Sequence, residues 1–145
     1  MKYEITQLES SGAHSCITIL QPELHIPLTT TSNETLHLPN ISCWGSDSQG
    51  QTQTPAMIAS SHDRIWHLSC GAAHTCIVTS QWQLVCWGGQ WHGWKRHNVS
   101  GMDSLANTDL ATVQVGSVSA GYGHNCVVSR LGTWKCIGEN DESQC

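Results

Sequence analysis

Phenylalanine is absent from this 145-residue chain and charge is scarce, with six Lys and Arg against eleven Asp and Glu. The small negative balance argues against a broad nucleic-acid footprint. No apolar run reaches the length of a membrane-spanning helix, so no membrane partner is expected. Met1 to Thr6 lack the apolar stretch of a secretory signal. There is no Cys-x-x-Cys pair, hence no zinc-finger spacing. A Gly-x-Ser-x-Gly elbow, a phosphate-binding loop and a His-Glu-x-x-His helix are also missing. Asp103 and Asp109 sit in a polar linker with no evident acid or base partner. No catalytic residue is therefore assigned, no cofactor or metal is expected, and the chain reads as a non-enzyme.

What is present is repetition. Ser11-Gly12-Ala13-His14-Ser15-Cys16 recurs as Gly71-Ala72-Ala73-His74-Thr75-Cys76 and again as Gly121-Tyr122-Gly123-His124-Asn125-Cys126. Each copy leads to a second cysteine, an apolar residue and a glycine: Cys43-Trp44-Gly45, Cys86-Trp87-Gly88, Cys136-Ile137-Gly138. Units of this length with a Gly-rich start and an aromatic-Gly end indicate a propeller or a related array. The expected fold is all-β, with three propeller-like blades in one domain. Blade one spans about 5–51, blade two about 65–94 and blade three about 112–145.

Nine residues separate Cys76 from Cys86 and nine separate Cys126 from Cys136, with β-branched residues on both sides of a polar centre. That is a hairpin pattern. Gly132 suits the left-handed position of its turn. Pairing Cys76 with Cys86 sets Ile77 opposite Val85 and Val78 opposite Leu84, and brings the two cysteines face to face. Directly opposed strand residues have Cβ atoms about 4.5–5.5 Å apart, close to what a disulfide needs. Val78 and Leu84 fall on one face, Ile77, Val85 and Trp87 on the other. A sheet apolar on both faces is one sandwiched between neighbours. Ile65 to Cys70 and Thr112 to Ala120 read as strands leading into the next Gly-x-x-His.

Copy one is interrupted, since 26 residues lie between Cys16 and Cys43. The insert, about 20–38, carries Pro22, Pro27 and a Thr/Ser run and reads as an exposed excursion. Cys16–Cys43 is expected to match the other two staples. Cys70 and Cys145 are left over. They could pair with each other, pair with other chains or stay as thiols, and mutual pairing is favoured in an oxidising compartment. The even cysteine number places the protein outside the cell or in a periplasm. The sequons at Asn33, Asn40 and Asn98 are possible glycosylation sites.

The Gly-x-x-His-Thr-Cys start, the Cys-Trp-Gly end and the trailing Gly50-Gln51 resemble the regulator of chromosome condensation repeat, in its cysteine-bearing, secreted form. The resemblance implies blades of a β-propeller, a fold that usually closes with seven. Members of that family exchange nucleotide on a small GTPase, inhibit β-lactamases or act as interaction modules. None of those activities has residues here onto which it can be carried. Three departures stand out: Ser11 for glycine, Ile137 for tryptophan, and a blade-two end, Gly88 to Trp94, that lacks the Asn and the Gly-Gln at their usual places, with Gly93-Trp94 where blade one has Gly50-Gln51.

Two clusters invite a ligand. His14, His74 and His124 each precede a cysteine by two and could line a metal-binding rim. The plainer reading is that each ring bonds the turn at its strand entrance. Trp91, Trp94, Lys95, Arg96 and His97, with Trp82 nearby, could anchor a glycan or a protein partner. Glu139 to Glu142 lacks calcium-loop spacing. The expected role is a non-enzymatic extracellular binding or assembly module with a protein partner. Alternatives are an intracellular interaction domain with reduced cysteines, or a glycan- or metal-binding protein. Because three blades do not close a ring, Ile17, Val127 and Val128 are expected to face outward and to promote homo-oligomers or filaments.

Overall fold

The computed structural model describes residues 4–20, 40–59, 63–89, 114–138, 142–143 and 145. Residues 21–38 of the insert lie outside these, as do Asn33, Asn98 and the stretch holding Trp91, Trp94, Lys95, Arg96 and His97.

The described chain folds into three antiparallel sheets of three strands each. Blade one holds β1 (Glu4–Ser10), β2 (His14–Leu20) and β3 (Ile41–Gly45). Blade two holds β4 (Ile65–Cys70), β5 (His74–Thr79) and β6 (Leu84–Gly88). Blade three holds β7 (Val115–Ala120), β8 (His124–Ser129) and β9 (Trp134–Gly138). A one-turn helix, α1 (Ala56–Ala59), follows blade one and buries Ile58.

The registers follow the cysteines. Cys16 opposes Cys43, Cys76 opposes Cys86 and Cys126 opposes Cys136. All three pairs are disulfides, with Cα atoms 4.1, 4.1 and 4.0 Å apart. Such close spacing belongs to the non-hydrogen-bonded kind of cross-strand pair. Ile77 faces Val85 and Val78 faces Leu84, as the hairpin pattern predicts. The insert leaves β2 and β3 in the same register, because the Ile19 amide still donates to the Asn40 carbonyl at 2.9 Å. Each first strand carries the same irregularity, between Ile5 and Gln7, Ile65 and His67, and Val115 and Ser117.

Gly45, Gly88 and Gly138 end their blades at φ +111°, +88° and +127°. A side chain there would strike the carbonyl of Ala13, Ala73 or Gly123, so close approach and left-handed backbone both demand glycine. Gly132 takes its left-handed turn at φ 84°. The matching turn of blade two puts Trp82 there at φ 63°.

Cys70 carries a free, buried thiol, so the favoured Cys70–Cys145 bond is not made. Its side chain points into the boundary with blade one, where Sγ contacts the Glu9 carbonyl at 3.8 Å. Cys145 is exposed. Val127 also departs from expectation. It is buried against blade two, and its neighbour Val128 is the outward residue.

Candidate functional site

The features that repeat converge on the seams between blades. The first seam, between blades one and two, packs Cys16, Ile41, Ile58, Ile65, Leu68, Ile77, Val85 and Trp87 into one cluster. The second, between blades two and three, packs Cys76, Val78, Val115, Val118 and Val127. Blade two is covered on both faces, as its doubly apolar hairpin requires.

Each blade therefore has a leading face and a trailing face. Leading positions are Ile5, Leu8 and Ile17 in blade one, Ile65, Leu68 and Ile77 in blade two, and Val115, Val118 and Val127 in blade three. Trailing positions hold the disulfide plus Thr18 and Ile41, Val78 and Leu84, or Val128 and Trp134.

The motif histidines cross the seams. His14 Nε2 lies 2.8 Å from Thr75 Oγ1 of the next blade. Thr75 Oγ1 donates its only proton to the Gln51 carbonyl at 2.9 Å. Thr75 must then accept from His14, which places the ring proton on Nε2. Nδ1 lies 3.1 Å from Ser11 Oγ, which can donate to it. Burial first, and then His74, lowers the ring's pKa, which favours the neutral form. Trp87 Nε1 donates to the same Gln51 carbonyl at 3.0 Å, and the Gln51 side chain accepts from the Gln49 amide at 2.8 Å. The Trp-Gly and Gly-Gln signatures thus belong to one network. His74 Nε2 repeats the crossing to Asn125 Oδ1 at 2.9 Å.

Glycine opens the motif in blades two and three because the histidine ring folds back over it: a Cβ at Gly71 or Gly121 would overlap the His74 or His124 ring. Ser11 takes that position in blade one and bonds its ring instead. The expectation that a motif histidine serves its own turn is met at the Ser11–His14 contact. Crossing to the next blade is the role that sequence reading missed, although the polar residue after each histidine, Thr75 or Asn125, was its signal.

Cys70 lies beside this network. Burial, then the Glu9 carboxylate, pushes its thiol up to about 11, so it is protonated at neutral pH. Asp47, in the blade-one end, is held below the usual carboxylate range by Gln53 and Thr52, whose N–H groups it accepts at 2.8 and 2.9 Å.

Trp82 sits inside a ladder. Its ring stacks on Trp66 with centroids 5.7 Å apart, Arg130 lies 4.2 Å over it, and Arg64 lies 5.1 Å over Trp66. The Arg130 contact ties the blade-two turn to blade three. The Asn40 side chain donates to the Asp63 carbonyl at 2.9 Å.

The outer faces differ from the seams. Leu8 is 63% exposed, while Leu68 and Val118 at the same position are each 1% exposed. At the other end Val128 is 44% and Trp134 76% exposed, whereas Val78 is fully buried.

No family model matches this chain, and no curated protein matches it. Solved structures do. Human WBSCR16 aligns with a TM-score of 0.63 at 17% identity, covering 97% of this chain and 35% of that one. Prp20p of Saccharomyces cerevisiae aligns at 0.60 and 21%, covering 97% and 32%. The ectodomain of the Physcomitrella patens receptor kinase CR4 aligns at 0.57 and 16%, covering 94% and 30%. The chain spans about a third of each. These likenesses show the β-propeller repeat fold.

Proposed function

We propose that this chain is a non-enzymatic binding and assembly module of propeller blades, and that its outer faces take another polypeptide, foremost a second copy. One observation carries the reading: positions buried at both seams are bare on blade one's leading face and blade three's trailing face. Burying one such Leu or Val is favourable by about 1.5–3 kcal/mol, so the faces favour company. Covering Leu8 and Ile17 with Val128 and Trp134 would repeat an existing seam. His124 then stands where His14 and His74 reach across, and Ser15 stands where Thr75 and Asn125 receive them.

The receptor-kinase ectodomain and Prp20p, a structure described with its binding to Gsp1p and histones, make a protein partner a reasonable class for this fold. Relationship to the chromosome-condensation repeats rests on the same motifs and on the likeness to Prp20p. Three in-register disulfides support an extracellular or periplasmic setting.

Light scattering at micromolar concentration tests the assembly. A mass above 15.8 kDa that falls to the monomer in Trp134→Glu is expected. A wild-type monomer throughout would contradict it.

A further inference from the structure

Two departures from the repeat meet at one histidine. The position before Gly-x-x-His pairs with the residue after the histidine, and it is Ser10 in blade one, Cys70 in blade two and Ala120 in blade three. The position that opens the motif is Ser11, Gly71 or Gly121. At the first seam, His14 therefore has both Ser11 on its own blade and Cys70 on the next. At the second seam the same two positions are Gly71 and Ala120, neither with a side-chain ligand atom. Around His14 the ring nitrogen, Cys16 Sγ and Cys70 Sγ all lie within 4.8 Å of one another, and all three residues are buried.

We propose that the first seam is a redox-gated site for a thiolate-seeking divalent cation, zinc above all, formed when the Cys16–Cys43 disulfide is reduced. A dithiol reductant supplies two electrons: the Cys16–Cys43 bond breaks, two thiols form and the reductant becomes a disulfide. Cation binding then sends the thiol protons to solvent. The ligands are His14 Nε2, Cys16 Sγ and Cys70 Sγ. Cys43, released by the same step and still opposite Cys16 across β2 and β3, offers a fourth.

Two or three thiolates and an imidazole are the donor set that zinc prefers. Zn–S bonds of about 2.3 Å put tetrahedral ligand atoms about 3.8 Å apart, so the cluster has at most about 1 Å to contract. Thr75 Oγ1 lies beside two of the ligand atoms, 2.8 Å from His14 Nε2 and 3.8 Å from Cys16 Sγ, and gives up its hydrogen bond from Nε2 when the cation binds. To ligate through Nε2 the ring must carry its proton on Nδ1. Ser11 allows this, because Oγ can accept from Nδ1 at 3.1 Å while its own proton goes to the His14 carbonyl at 3.3 Å. Ser11 is thus a positioning residue for the ligand. With the disulfide intact Cys16 cannot ligate and the site is closed.

The test uses the full chain with Cys43→Ser, which frees Cys16 and leaves the other two staples, kept in mild reductant and titrated with Co²⁺ as a spectroscopic stand-in for Zn²⁺. One equivalent should give thiolate-to-cobalt charge transfer with tetrahedral ligand-field bands, both abolished by Zn²⁺. Wild type should show them only after reduction. Adding Ser11→Gly should weaken binding about tenfold or more, and adding Cys70→Ala should weaken it further. Cys86→Ser, which frees Cys76 beside His74 and Ala120, should give no such band. Metal binding also drives folding, so a loosened apo chain should still assemble the site. Absence of the band in both Cys43→Ser and reduced wild type, folded or not, overturns the proposal. So does unchanged affinity on adding Cys70→Ala.

Discussion

The two seams share one backbone register and differ in what fills it. At the first, Gln7 grips the irregularity of β4 from both sides, donating to the Trp66 carbonyl at 2.9 Å and accepting from the Leu68 amide at 2.8 Å. At the second, His67 occupies that position. It reaches Ser117 Oγ only at 3.4 Å, and its Nδ1 is buried with no hydrogen-bond partner among the described residues. The first seam holds Trp87 over Gln51, while blade three has Ile137 at the matching place. The second cluster is built on valines and a disulfide. Backbone repetition thus sets where blades meet, and side-chain filling sets how firmly they hold.

The largest contrast should come from the apolar filling. Ile77→Ala at the first seam should cost about 2–5 kcal/mol of unfolding free energy by denaturant titration. Val127→Ala, its counterpart at the second seam, removes less buried carbon and should cost about 2 kcal/mol. Equal losses would mean that the seams are equally filled. Next comes the hydrogen-bonded network. Thr75→Val strands the His14 Nε2 proton and removes one of the two donors to the Gln51 carbonyl, so a loss of about 1–3 kcal/mol is expected. His67→Gln should go the other way. Its amide can grip the β7 irregularity as Gln7 grips that of β4, adding about 1 kcal/mol and removing a buried unpaired nitrogen. A destabilised His67→Gln protein would show that the two irregularities are not equivalent.

Acid should act on the first seam. Folded His14 takes a proton less readily than the unfolded chain, whose histidine titrates near 6.5. Stability is therefore full above that value and is lost as pH falls below it. His14→Gln should flatten that slope in melts between neutral and mildly acid pH. The smallest signal is chemical. Cys70, with its thiol near 11 and its side chain buried, should resist maleimide at neutral pH in the native protein and react once unfolded. Rapid native labelling of Cys70 would mean that the first seam opens.

The blade plan was legible because hairpin periodicity and cysteine spacing both depend on cross-strand geometry. Nine-residue spacers set Cys76 opposite Cys86 and thereby Ile77 opposite Val85. The parity of Val127 and Val128 could not be read without knowing which face the disulfide shares, and Cys76 facing blade three decides it. The crossing histidines escaped because their partners lie 61 and 51 residues away. Cys70 escaped because parity of count says nothing about burial. The first turn of α1, with Ile58 closing the first cluster, had no periodic signal in four residues.

One mixing experiment goes straight to the claim that blade one's leading face and blade three's trailing face are two halves of one seam. Leu8→Glu blocks the first half and Trp134→Glu the second. Each variant alone should scatter as a 15.8 kDa monomer, and an equal mixture should form a heterodimer of twice that mass and grow no further. Variants that still assemble alone, or a mixture that stays monomeric, would contradict it.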